Sequence, residues 1–297
     1  MNTLRTPDAR FENLPGYDFA ANYVDVDGMR MHYVDEGPAD GNVVLLLHGE
    51  PSWSYLYRHM IPPLANAGLR VVAPDLVGFG KSDKPTKKSD YSYARHVAWM
   101  TAFVESLNLT DITLFCQDWG SLIGLRVAAE NEQQFSRIAL GNGGLPTGDQ
   151  EMPRAFLIWR AFALYSPWFP IGKIIQKGTV TELADDVVAA YDAPFPSSRY
   201  KAGARAFPKL VPTRPDDPAS DANRAAWEVF SRWQKPFLTT FSNRDPITRG
   251  GEVPWQETVP AAKDRQHVKI RNAGHFLQED KGAELAEVLI EFVRATP

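Results

Sequence analysis

The apolar positions of the chain fall into short runs separated by polar, glycine-rich turns. Val43 to Leu47, Leu69 to Ala73 and Ile112 to Cys116 are compact apolar runs rich in strand formers. Runs of this kind, bounded by turn residues, read as strands buried on both faces. Ile138 to Leu140, Phe237 to Phe241 and His267 to Ile270 repeat the signal further along. Residues 22–36 alternate instead, and Asp27-Gly28 at their centre marks a two-residue hairpin. Residues 54–66, 93–108 and 282–295, and the stretch from Leu122 onward, suit helices. Strand, helix, strand in this rhythm predicts an α/β fold, a mostly parallel sheet flanked by helices. The alternation stops at residue 145. From there to residue 226 no strong strand run occurs, and Phe156, Trp159, Phe162, Tyr165, Trp168 and Phe169 crowd together. This predicts a helical insertion over 145–226 between two parts of one core domain, 1–144 and 227–297.

Ligands of open α/β sheets bind beyond the carboxyl ends of the strands. Reactive residue types stand at those ends here. His48-Gly49-Glu50-Pro51 follows the run at 43–47, and Asp118 follows that at 112–116. Asp245 follows 237–241, and Asn272-Ala273-Gly274-His275-Phe276 follows 267–270. Cys116-Gln117-Asp118-Trp119-Gly120 has small residues on either side of an acid, the pattern of a sharp strand-to-helix turn that presents one side chain above a sheet. A serine there would attack acyl carbon. A carboxylate can displace a leaving group from saturated carbon and form an ester. The alternative is that Asp118 only caps the following helix. Nucleophile, acid and histidine occur in the chain order of an α/β-hydrolase triad.

Composition narrows the field. With 297 residues, 44% hydrophobic and 23% charged, the chain fits one large globular α/β unit. A formal net charge of −4 without a basic run argues against nucleic acid. One cysteine excludes an internal disulfide and suits a reducing compartment, so a cytoplasmic location is expected. No apolar stretch reaches the roughly 18 residues of a membrane span. Cys and His are not clustered at metal spacing, and no cofactor is expected; chelation should leave activity unchanged. Gly78-Phe79-Gly80-Lys81-Ser82 ends like a phosphate loop, but Asp75 stands where that motif needs glycine.

The chain resembles the α/β-hydrolase superfamily and, within it, the haloalkane dehalogenases whose triad acid follows a late strand. The likeness runs along nearly the whole chain. It includes His48 to Tyr55, Pro74 to Asp83, Gln117 to Ser121, Tyr191 to Pro196 and Gly274-His275-Phe276. It implies that Asp118 is the nucleophile, His275 the base and Asp245 its orienting acid. The backbone N–H groups of Glu50 and Trp119 would form the oxyanion hole. Trp119 and Trp159 would hold the departing halide, with Trp168 competing for the second position. Phe156, Phe207, Val211 and Ile247 would line the pocket, Phe207 and Val211 sharing a helix face. Asn142, uncharged, stands where related subfamilies carry the acid. The implied substrate is a small halogenated aliphatic and the product a halide ion, in a monomer or homodimer without nucleic-acid or membrane partners. The closest rival is an epoxide hydrolase using the same acid; it would need a tyrosine of the insertion, Tyr165, Tyr191 or Tyr200, as proton donor.

Overall fold

The computed structural model describes residues 1–263 and 265–296, so Asp264 and Pro297 of the expected core lie outside it. A seven-stranded sheet organises the chain. Its strands are β2 (Asn22–Val26), β3 (Met29–Glu36), β4 (Val43–Leu47), β5 (Arg70–Pro74), β7 (Ile112–Asp118), β8 (Phe135–Gly143) and β9 (Phe237–Thr239), in the order β2-β3-β5-β4-β7-β8-β9. The two-residue strands β1 (Thr3–Leu4) and β6 (Lys84–Pro85) pair separately. β2 and β3 form the expected hairpin, with Val26 opposite Met29 and positive φ at both Asp27 (53°) and Gly28 (73°). That geometry matches the right-handed twist of the strands it joins. From β5 through β9 all pairing is parallel. β4 is buried along its whole length, as a central strand covered on both faces must be.

Helices α1 (Ile61–Asn66), α2 (Tyr93–Ser106), α3 (Trp119–Glu130) and α11 (Leu277–Arg294) cover the sheet, α1 packing with α11 and α2 with α3. The crossover at 54–66 is not one helix. Ser54–Tyr57 forms a 3-10 turn, and α1 begins only at Ile61. Pro62 and Pro63 lack backbone N–H groups, so they suit a first helical turn but not a helix interior. The insertion holds α4 (Arg154–Tyr165), α5 (Ile171–Gly178), α6 (Asp185–Asp192), α7 (Ala202–Leu210) and α8 (Ser220–Phe230). α8 runs through position 226 and packs on α3, so the expected boundary falls inside a helix that touches the core layer. The short α9 (Val253–Thr258) and α10 (Pro260–Lys263) follow β9. No described helix is long and apolar enough to cross a membrane.

The strand expected at 267–270 is not a regular strand. Val268 N–H still donates to Thr239 O (3.1 Å) and Ile270 N–H to Phe241 O (2.9 Å). The Thr239 N–H, however, goes to Nδ1 of His267 (3.1 Å), so a side chain takes one rung of the ladder and only the bridge Ser242–Ile270 remains. The segment therefore lies beside β9 without extending the sheet, and still carries His275 to the strand ends.

Candidate active site

The turn after β7 is as sharp as its sequence requires. Asp118 adopts φ 50°, ψ −126°, a conformation that costs a non-glycine residue about 1–3 kcal/mol. Close packing beneath holds it there. A Cβ on Gly120 would overlap the Leu47 carbonyl, and one on Gly49 would overlap the Asp118 carboxyl itself. Asp118 makes no side-chain capping bond to α3, so the capping role is not the one the structure gives it. Its Oδ1 instead accepts from the Glu50 N–H at 2.7 Å. Its Oδ2 lies 3.4 Å from Nε2 of His275.

The other face of the imidazole is held by Asp245, whose Oδ2 is 2.9 Å from Nδ1. Asp245 is buried and accepts from the Ile247 N–H (2.8 Å) and from the Thr248 hydroxyl. Burial alone would raise its carboxyl; the His275 charge and these bonds outweigh that and keep it below the usual range. Burial alone would lower His275, but Asp245 and Asp118 flank it and push the imidazole up to about 10. Burial, with Asp118 beside it, drives the Glu50 carboxyl well above its ordinary range.

Two further side chains hold His275, one at its ring and both at its backbone carbonyl. Gln117 is fully buried; its Nε2 lies 3.1 Å from the His275 carbonyl and 3.2 Å from Nε2 of the ring. Asn142 Nδ2 donates to the His275 carbonyl (3.0 Å), the Gly274 carbonyl (2.8 Å) and Ser242 Oγ (2.9 Å), and its Oδ1 accepts from the Ser242 N–H. Asn142 thus ties the β9 loop to the histidine loop. In the sequence, Gln117 is simply part of the turn and Asn142 a position without charge. Their spacing from His275, 158 and 133 positions, left no local signal.

Above Asp118 opens a cavity of about 840 Å³. Glu50, Asp118, Trp119, Phe156, Trp159, Val211, Ile247 and His275 all line it. Phe207 stands one layer back. It is fully buried, with its ring 4.5 Å from that of Trp119, and Pro208 and Val211 form the wall there. The shared helix face does not exist either, because α7 ends at Leu210 and Val211 is already extended (ψ 124°). Trp168 sits at the mouth, 63% exposed. Trp227 lines the wall with its N–H committed to the Leu145 carbonyl (2.8 Å). No hydrogen bond among the described residues engages the indole N–H of Trp119 or Trp159. No tyrosine lines the cavity among those residues: Tyr191 is buried against Glu279 and Tyr165 faces outward. No cluster of His, Cys, Asp and Glu able to hold a metal ion occurs among them. The Gly78–Ser82 loop closes on a carboxylate, with the Lys81 N–H bonded to Asp75 Oδ2 (2.7 Å), which leaves no phosphate cradle.

Known proteins agree with this architecture. The model of the alpha/beta hydrolase fold matches residues 42–282. A haloalkane dehalogenase of Mycobacterium marinum is 58% identical over 98% of this chain and all of its own. One from Psychrobacter cryohalolentis is 55% identical over the full length of both. Among solved structures, the haloalkane dehalogenase DpaA of Paraglaciecola agarilytica, a tetramer, superposes with a TM-score of 0.91 at 36% identity over 97% of each chain. The chain therefore belongs to the haloalkane dehalogenases of the α/β-hydrolase fold, hydrolases that cleave carbon–halogen bonds.

Proposed function

We propose that Asp118, His275 and Asp245 carry hydrolytic dehalogenation in two steps. The observation that carries this reading is the opposition of Asp118 and His275 at the floor of an apolar cavity. With Oδ1 held by the Glu50 N–H, Oδ2 is the oxygen left to attack the halogen-bearing carbon in line. Halide departs and an alkyl ester remains on Asp118. Esterification removes the Asp118 charge that helps hold the His275 proton, so the imidazole becomes available as a base. It takes a proton from water, and the hydroxide adds to the ester carboxyl carbon; the bond from that carbon to the alkyl oxygen then breaks, the alkoxide takes the proton back from His275 and leaves as alcohol, and the regenerated Asp118 carboxyl gives up its proton. Asp245 keeps the ring in the Nδ1–H tautomer and stabilises its charged form. The Glu50 N–H already points at the carboxyl oxygen that becomes the oxyanion; the Trp119 N–H, at the start of α3, is the second donor.

A departing halide needs donors rather than a proton. The uncommitted indole N–H groups of Trp119 and Trp159 on the cavity wall supply them, and the exposure of Trp168 ranks it behind Trp159. Phe156, Val211 and Ile247 are the proposed substrate contacts, Phe207 the support of Trp119. The substrate is a halogenated aliphatic and the insertion acts as the cap over it. An epoxide hydrolase would use the same acid, but no tyrosine stands on the wall among the described residues to protonate an opening oxygen. The single, buried Cys116 supports the cytoplasm as compartment. The proposed assembly is a monomer or homodimer, which sedimentation would separate from the tetramer of the Paraglaciecola relative.

The test compares wild type, Asp118→Ala and His275→Phe on 1,2-dibromoethane and 1-bromobutane, with styrene oxide in parallel. Bromide release should vanish in Asp118→Ala. His275→Phe should release about one bromide per enzyme and trap the ester. Diol from styrene oxide without bromide from either haloalkane would refute the substrate assignment.

A further inference from the structure

The cavity changes character from floor to mouth. The carboxyl groups that line it, Asp118 and Glu50, sit at the floor, and burial drives the Glu50 carboxyl well above its ordinary range. The middle is apolar, built by residues such as Leu122, Phe156, Val211 and Ile247. At the outer end stand Lys173, Lys177 and Arg244, all exposed. Lys173 and Lys177 are four apart on α5 and share a face. Among the described residues none of these three cations has a carboxylate within salt-bridge distance. Lys173 Nζ lies 5.6 Å from the centre of the Trp168 ring, and among the described residues the Arg244 guanidinium bonds only the neutral Asn272 Oδ1 (3.2 Å). The rim thus carries three cations with no salt-bridge partner among the described residues, above an interior that is apolar; the neighbouring Asp280 carboxylate is taken up by the N–H groups of Val180, Thr181 and Gly274.

Size adds a second constraint. A cavity of about 840 Å³ lies in the upper part of the roughly 300–1,000 Å³ range of drug-sized pockets, so a two- to four-carbon haloalkane leaves most of it unfilled. The apolar lining also continues outward: Ile158, Phe162, Trp168 and Val180 both line the cavity and remain exposed. A ligand that satisfied floor, wall and rim together would be long, apolar through its middle and anionic at the far end.

We infer that this enzyme takes amphiphilic haloalkanes, with the halogenated carbon at Asp118 and a carboxylate or similar anion held by Lys173, Lys177 and Arg244 at the mouth. This rests on the displacement chemistry proposed for Asp118. The chemistry itself does not change. The carbon–halogen bond breaks and halide leaves as the ester bond forms, and water then cleaves the ester to alcohol and a proton while the distant anion is a spectator. Each further buried methylene should raise kcat/KM roughly fourfold until the chain reaches the rim. Three exposed charges of this kind should together add roughly tenfold for an anionic terminus at low ionic strength.

The experiment compares 8-bromooctanoate with its neutral counterpart 8-bromooctan-1-ol, and measures octanoate binding by calorimetry. Wild type, Lys173→Gln/Lys177→Gln, Arg244→Gln and the charge-keeping Lys173→Arg/Lys177→Arg are run side by side. Wild type should favour the carboxylate, the glutamine double variant should level the two without changing turnover of the alcohol, and the arginine pair should keep the preference. Equal kcat/KM in wild type, or a preference that survives the glutamine variants, overturns the inference. A fall in kcat for both substrates in the double variant also overturns it, by assigning the cations to halide exit. If neither substrate reacts, octanoate binding that depends on the lysines upholds the rim and refutes the chemistry; binding indifferent to them refutes the rim.

Discussion

Gln117→Leu separates the chemistry of the histidine from the stability of the loop that carries it. The His275 carbonyl needs a donor, and this orients the Gln117 amide with its NH2 toward both that carbonyl (3.1 Å) and ring Nε2 (3.2 Å). An N–H aimed at Nε2 can be accepted only by the unprotonated ring, so Gln117 favours the base form. One such bond contributes about 0.5–1.5 kcal/mol. At about 1.36 kcal/mol per pKa unit, its loss raises the imidazole by roughly half a unit to one unit. Ester hydrolysis near neutral pH should then slow about three- to tenfold, while ester formation, which does not use the histidine as base, is unchanged. Stability should not fall. Asn142 still satisfies the His275 carbonyl at 3.0 Å. Leucine also removes the buried, unpartnered Oε1 of Gln117, a group whose isolation costs about 1–3 kcal/mol. Rapid-quench kinetics from pH 6 to 10 reads both steps, and thermal unfolding reads stability. An unshifted pH profile for hydrolysis, or a loss confined to halide release, would refute the reasoning.

Two further outcomes follow from buried charges. Arg58 pairs with Glu279, which also accepts from the Tyr191 hydroxyl, so one buried network joins the 54–57 turn, α11 and α6. Arg58→Met leaves Glu279 uncompensated and should cost about 3–5 kcal/mol, lowering the midpoint of thermal unfolding by several degrees; a change below about two degrees would contradict this. The second concerns pH. His275 is raised from 6.5 to about 10, so its contribution to stability is complete below the lower value and is lost as pH climbs toward the upper one. Lys84, lowered by burial from 10.5 to about 7, works in the opposite direction over the same window. The difference between wild type and His275→Phe isolates the histidine. That difference should shrink between pH 6.5 and 10, and a constant offset would show that no such shift exists.

The sequence by itself determined the sheet, the turn at Asp118 and the three residues that meet around it. These are local patterns: apolar runs, a two-residue turn, small residues flanking an acid, reactive types just beyond strand ends. Each is encoded within a few neighbouring positions, and the α/β rules bring strand ends to one edge. Tertiary structure decided what depends on partners far away in the chain. His267 took a rung of the ladder with its side chain, so the run at 267–270 did not become a strand. The crossover is an exception, since Pro62 and Pro63 are a local cause for α1 starting only at Ile61. Phe207 is as apolar as Phe156, yet one backs Trp119 and the other lines the cavity, because the Phe207 ring packs on His96 of α2 and Trp119 of α3. Gln117 and Asn142 reach His275 only after β7, β8 and the final loop are assembled. The cationic mouth arises the same way, since Lys173 and Arg244 lie 71 positions apart and only the closed fold sets them around one opening.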